Sequence, residues 1–126
     1  MALKFYKCAH CGNVIVKVDD KGVPVMCCGE KMEELAANST DAATEKHVPV
    51  ATVAGSAVDV VVGEVEHPMT EEHLIAFIAL ETKKGYAVAP LSAADEPKAS
   101  FALAAGDEPV AVYEYCNLHG LWTAAL

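Results

Sequence analysis

The chain has 126 residues, 53% of them apolar but only 6% aromatic, and it carries a formal net charge of −9 with no arginine. That length holds one ordinary domain, or a small one joined to a medium one. An acidic chain without arginine binds phosphate poorly, which argues against nucleic acid as a partner, and the longest apolar run, Leu74 to Leu80, is too short to cross a bilayer as a helix.

The N-terminal stretch Met1 to Lys7 has no apolar segment of secretory length, so the chain reads as soluble and cytoplasmic. Charge is unevenly spread. Residues 1–36 hold five lysines and five acids, whereas residues 37–126 hold four lysines and thirteen acids. The excess acid reads first as a solvated surface.

Four of the five cysteines fall early. Cys8-Ala9-His10-Cys11-Gly12 is followed by Cys27-Cys28-Gly29, with fifteen residues between Cys11 and Cys27. Two close pairs of thiols read as a tetrahedral metal site. Disulfides are the rival reading. A cytoplasmic setting opposes them, and neighbours such as Cys27 and Cys28 bridge each other only with severe strain. The glycine after each pair suits a turn that needs positive φ or lets backbone N–H groups reach sulfur. Between the pairs, Asn13 to Val18 reads as a strand, Asp19 to Gly22 as a turn, and Val23 to Met26 as the return. The expectation is a short hairpin clasped around one ion, with His10 a solvent-facing residue of the first knuckle. So small a module needs a staple of this kind.

Residues 37–44 are small, polar and without periodicity, and read as a linker between a 1–36 module and a 45–126 domain. Short apolar segments then recur with turn signals between them: Val48 to Ala54, Val58 to Val65, Leu74 to Leu80, Tyr86 to Leu91, Ser100 to Ala104 and Val110 to Tyr115. This spacing, roughly six or seven strands, predicts an all-β fold for the second domain, an antiparallel sandwich or barrel, with His119 following the last strand. Thr70-Glu71-Glu72 carries helix-start chemistry and is expected to form a single helical turn over 70–73 before the third strand.

The second domain contains His47, His67, His73 and His119, each at or near the edge of an expected strand, and Cys116 three residues before His119. Strand edges of a sandwich converge at its ends. Any one of these histidines alone reads as an ordinary surface residue; together with the cysteine they point to a mononuclear metal site. Five donors exceed what a simple zinc site uses, and blue copper takes two histidines and a cysteine with a weak axial ligand. Four nitrogens and one thiolate suit a five-coordinate iron with a vacant sixth position, where a small oxidant could bind opposite an electron-donating sulfur. Two other classes stay open: a carrier whose irons only transfer electrons, and a zinc-stapled binding module whose histidines are incidental.

Cys8-x-x-Cys11 with Cys27-Cys28 resembles desulforedoxin. Glu45-Lys46-His47-Val48-Pro49-Val50, His67-Pro68-Met69 with His73, and Cys116-Asn117-Leu118-His119-Gly120 resemble neelaredoxin. In this order the two resemble desulfoferrodoxin, the two-iron superoxide reductase of anaerobic and microaerophilic prokaryotes, over almost the whole chain.

The resemblance implies a desulforedoxin-like hairpin module followed by an immunoglobulin-like β-sandwich. It implies a first iron on Cys8, Cys11, Cys27 and Cys28, where zinc is an alternative occupant in recombinant protein. The implied second iron has His47, His67, His73 and His119 in its plane and Cys116 axial. Ferrous iron there would reduce superoxide to hydrogen peroxide without making dioxygen, and a donor such as rubredoxin would restore it. Glu45 would take the vacant position once the iron is ferric. Lys46 adjoins a ligand in an acidic domain, where a cation near the open position would draw in superoxide. The exposed small module and the resemblance both point to a homodimer.

Overall fold

The computed structural model describes residues 3–126, so the first two positions of the expected 1–36 module lie outside the described residues. The chain divides after Ala36 into two compact units. Every paired strand is antiparallel.

In the first unit, β1 (Phe5–Lys7) and β2 (Val14–Val16) form a hairpin whose tip carries Cys8 and Cys11. A second hairpin joins β3 (Met26–Cys27) to β4 (Glu30–Lys31). Its two loop residues, Cys28 and Gly29, both have positive φ, 53° and 78°, the signature of a type I′ turn. β5 (Glu33–Glu34) pairs with the other side of β1. The strand expected over Asn13 to Val18 is therefore present in shorter form, but its partner is β1 and not Val23 to Met26. Pro24 cannot donate to a ladder. The returning segment is instead held by Lys17, whose Nζ donates to the Val23 carbonyl at 2.8 Å. Leu3, Phe5, Cys8 and Met32 are this unit's buried apolar residues, while Val18, Val23 and Met26 stand largely exposed.

The second unit is a sandwich of two sheets. β6 (Pro49–Ala54) and β7 (Ala57–Val62) form a hairpin over Gly55-Ser56, with Gly55 at φ 60°, and β10 (Lys98–Ala102) pairs with the far side of β7. The other sheet has the order β12-β11-β8-β9, from β8 (Ile75–Thr82), β9 (Tyr86–Pro90), β11 (Pro109–Cys116) and β12 (Gly120–Ala125). The period-2 valines behave as their spacing requires: Val58, Val60 and Val62 are buried and their neighbours are exposed. They meet Ile75, Ile78, Leu80, Val112 and Cys116 in one core. Each such burial contributes about 1.5–3 kcal/mol against an exposed reference.

Three features depart from expectation. The seven strands fall within the expected count, but the seventh, β12, comes after the six named segments, so His119 lies in the turn between the last two strands and does not follow the last one. A four-residue helix, α1 (Thr44–His47), stands where the linker was expected to end. No helix forms over 70–73. The Thr70 hydroxyl does accept the His73 N–H at 3.0 Å, as a cap would. The next donors turn elsewhere, Leu74 N–H to the Asn117 side chain and Ile75 N–H to the Met69 sulfur, and the chain enters β8.

Candidate metal centres

The first cluster forms where the two hairpin tips meet. The sulfurs of Cys8, Cys11, Cys27 and Cys28 all lie within 4.8 Å of one another, and all four cysteines are free. Cys11 and Cys27 sulfurs stand 3.6 Å apart. That is far beyond a disulfide bond and near the separation of about 3.8 Å for two thiolates bound tetrahedrally to one ion at about 2.3 Å. Gly12 and Gly29 have φ of 81° and 78°, and backbone N–H groups of Cys11 and Asn13 approach the sulfurs of Cys8 and Cys11. The Cys11 N–H draws the Cys8 thiol down to a pKa of about 6, while shared protons from Cys11 and Cys8 push Cys28 up to about 12. A cation binding such thiols displaces their protons. His10 stays outside the cluster, facing Glu30 at 3.1 Å on the surface.

The second cluster gathers His47, His67, His73, Cys116 and His119, again with ligating atoms within 4.8 Å of one another. Each arrives on a different local device. His47 ends α1, and its Nδ1 bonds the Ala43 carbonyl at 2.7 Å. His67 follows β7, with its backbone N–H on the Val62 carbonyl and its Nδ1 on the Pro68 carbonyl at 2.7 Å. A carbonyl can only accept, so in both rings Nδ1 carries the proton and Nε2 presents its lone pair. His73 sits in the Thr70 turn, and its Nε2 is buried without a partner. Cys116 ends β11, and His119 is the last residue of the three-residue loop that follows it, closed by Gly120 at φ 81°.

The four rings form a square. Neighbouring centroids are 4.6–5.1 Å apart with planes at 76–88°, while His47 and His73 face each other across the diagonal at 6.5 Å and 28°. His47 Nε2 lies 3.1 Å from both His67 Nε2 and His119 Nδ1. Two nitrogens bound at right angles to one ion, each at about 2.1 Å, stand about 3.0 Å apart. These distances, with an orphaned nitrogen on His73, fit a single ion at the centre.

Cys116 is fully buried on the core side. Ala42, Ala43, Lys46 and Pro68 join the four histidines, without Cys116, in lining an open cavity of about 210 Å³. Burial depresses the His47, His67 and His73 pKa values, His67 to about 4, so these rings are neutral near pH 7 and ready to donate. Burial raises the Cys116 thiol, against which the N–H groups of Leu118 and His119 act.

Lys46 and Glu45 diverge. Lys46 lines the open cavity, and among the described residues no carboxylate pairs with its ammonium. Glu45 lines a separate cleft with Thr44, Val48, Val50 and Glu64. Several supporting residues escaped the sequence reading. Asn117 ties the Cys116–His119 loop to the His73 segment, accepting from Leu74 N–H at 2.9 Å and donating to the Glu72 carbonyl at 3.0 Å. Gly63 lies so close to α1 that a Cβ there would meet the Glu45 carbonyl oxygen at 2.6 Å. Asn117 stood inside a quoted motif, but no periodic signal marks either residue.

A family model described as Desulfoferrodoxin matches residues 39–125. The chain belongs to the desulfoferrodoxin family. Family members named Desulfoferrodoxin, from Syntrophotalea carbinolica and Nitratidesulfovibrio vulgaris, are 43% and 40% identical over 97% and 96% of this chain and 95% and 94% of theirs. The superoxide reductase from Treponema pallidum superposes with a TM-score of 0.84 at 39% identity, over 98% of this chain and 99% of that one. The one-iron superoxide reductase from Giardia intestinalis covers 65% of this chain and 97% of its own, with a TM-score of 0.53 at 36% identity.

Proposed function

We propose that this family member is a superoxide reductase acting at the His47, His67, His73, Cys116 and His119 centre. The observation that carries the reading is the square of four imidazoles gathered with a buried thiol, its rings lining an open cavity. Iron is the metal this donor set favours. When bound, it supplies one electron to superoxide, which with two protons yields hydrogen peroxide.

The chain's own residues do the rest. Cys116, on which the backbone N–H groups of Leu118 and His119 act, would hold the metal through its sulfur and supply it with electron density. The walls of the cavity admit a diatomic anion. Among the described residues Lys46 is the one lysine lining that cavity, in a unit with thirteen acids and four lysines, two of which, Lys83 and Lys98, are paired with Glu108 and Glu96. It attracts superoxide and holds water from which the departing peroxide takes protons. Glu45 lines a neighbouring cleft, and we assign it the role of a carboxylate that would ligate the metal after electron transfer.

The four thiols of the first unit suit a second iron, with zinc the alternative, and a centre of this kind passes single electrons. A small reduced carrier such as rubredoxin would restore the second centre. The reading extends to a cytoplasmic homodimer with both metal centres in each chain. Metal analysis and the visible spectrum of anaerobically purified protein test it. Two irons per chain, with thiolate-to-iron absorption from both sites, are expected. A colourless protein holding only zinc would overturn the reading.

A further inference from the structure

We infer that Trp122 is a positioning residue for the square of imidazoles, setting the ring plane of His47 and the backbone of His119 together. This rests on the functional reading above. Trp122 is buried in β12, at 2% exposure. Its ring stacks on His47 with centroids 5.1 Å apart and planes at 27°. Its indole Nε1–H donates to the His119 carbonyl at 3.1 Å. One side chain thus touches two neighbouring members of the square.

The two rings differ in how else they are held. His47 rides on α1, which has four residues and no side-chain N-cap bond, and helices that short have little rigidity of their own. The bond from Nδ1 to Ala43 fixes one edge of the ring but leaves rotation about that edge open. The face of Trp122 closes that freedom. Trp122 is itself placed by strand register, opposite Glu114 of β11, and so transmits the rigidity of the sheet to His47. An aromatic face against an imidazole that carries part of a cation's charge is also electrostatically favoured.

Two substitutions separate the contacts. Trp122→Phe keeps an aromatic face and loses the N–H; Trp122→Leu loses both. Val58→Ala, in the core at the far end of β7 from the site, is the control for general destabilisation. The readouts, on the full iron-loaded chain, are ferrous-iron affinity at the second centre by chelator competition and the ferric EPR and thiolate-to-iron absorption spectra. Trp122→Phe should weaken affinity severalfold with the parent's spectrum slightly shifted. Trp122→Leu should weaken it about 10- to 100-fold, with a broadened, more rhombic EPR signature. Val58→Ala should keep the parent's spectrum at a lower melting temperature. Parent-level affinity and spectra in Trp122→Phe or Trp122→Leu would overturn the inference, as would a Val58→Ala spectrum altered like that of Trp122→Leu. If the parent itself shows no thiolate-to-iron band at this centre, the functional reading fails instead.

Discussion

Gly63 connects packing to chemistry through a single missing methyl group. A Cβ at this position would lie 2.6 Å from the Glu45 carbonyl oxygen, 3.0 Å from the Lys46 carbonyl carbon and 3.1 Å from the Val48 carbonyl oxygen. All three are backbone atoms, so no side chain can swing away. Ordinary contact begins at 3.4 Å, and Gly63→Ala must therefore separate the two segments by about 0.8 Å at the closest point. The Val65 N–H bond to the Glu45 carbonyl, 2.9 Å long, resists that separation. His47 lies between the displaced atoms. A metal ligand tolerates roughly 0.2 Å, so even half of the displacement passed to His47 spoils the square. The variant should bind iron at the second centre about 10- to 100-fold more weakly and lose about 1–3 kcal/mol of stability to overpacking. The cysteine centre should be untouched. Chelator competition, with the two sites distinguished by their absorption bands, provides the assay. Parent-level affinity at the histidine centre in a folded Gly63→Ala chain would refute the reasoning.

Three further expectations follow from other residues. Lys46→Ala should slow the second-order reaction with superoxide by about tenfold or more without changing iron content; an unchanged rate by pulse radiolysis removes Lys46 from the mechanism. Glu114 is fully buried with both carboxyl oxygens unpartnered, and burial raises its pKa to about 9. Folding at pH 7 then requires it to take up a proton that the unfolded chain releases above about 4.5, so stability should fall as pH rises between about 4.5 and 9, by up to about 1.4 kcal/mol per pH unit. Glu114→Gln should flatten that slope in denaturation curves, and equal slopes in parent and variant would contradict the assignment. Cys11→Ser should remove one metal per chain and the cysteine-site absorption, leaving the band of the histidine–thiolate centre in place; loss of both bands would mean the two centres are not independent.

The parts of this structure that a sequence displays are those with a repeating physical signal. Val58, Val60 and Val62 alternate because one face of β7 enters the core, and that pattern is visible without coordinates. Thiol pairs at metal spacing are visible for the same reason. β12 was not, because Leu121-Trp122-Thr123-Ala124-Ala125 offers two alanines where strands usually carry branched side chains, and its pairing with β11 supplies what propensity lacks. α1 is a single turn, too short for periodicity to register. The Thr70 cap has helix-start chemistry without a helix, because the competing acceptor, Asn117, lies 43 residues away from the Leu74 N–H it captures. The same distance hid the support of the site. Histidines at strand edges could be listed from sequence, but their perpendicular arrangement depends on the carbonyls of Ala43 and Pro68 and on Trp122.

The measurement that bears most directly on the account is the product balance of the ferrous protein exposed to superoxide, with peroxide and dioxygen quantified together under anaerobic conditions. The account predicts one hydrogen peroxide for each superoxide consumed, one ferrous centre oxidised in step, and no dioxygen. Dioxygen formed alongside half that peroxide would mean dismutation, and superoxide left unreacted would mean that the histidine–thiolate centre does not perform this chemistry.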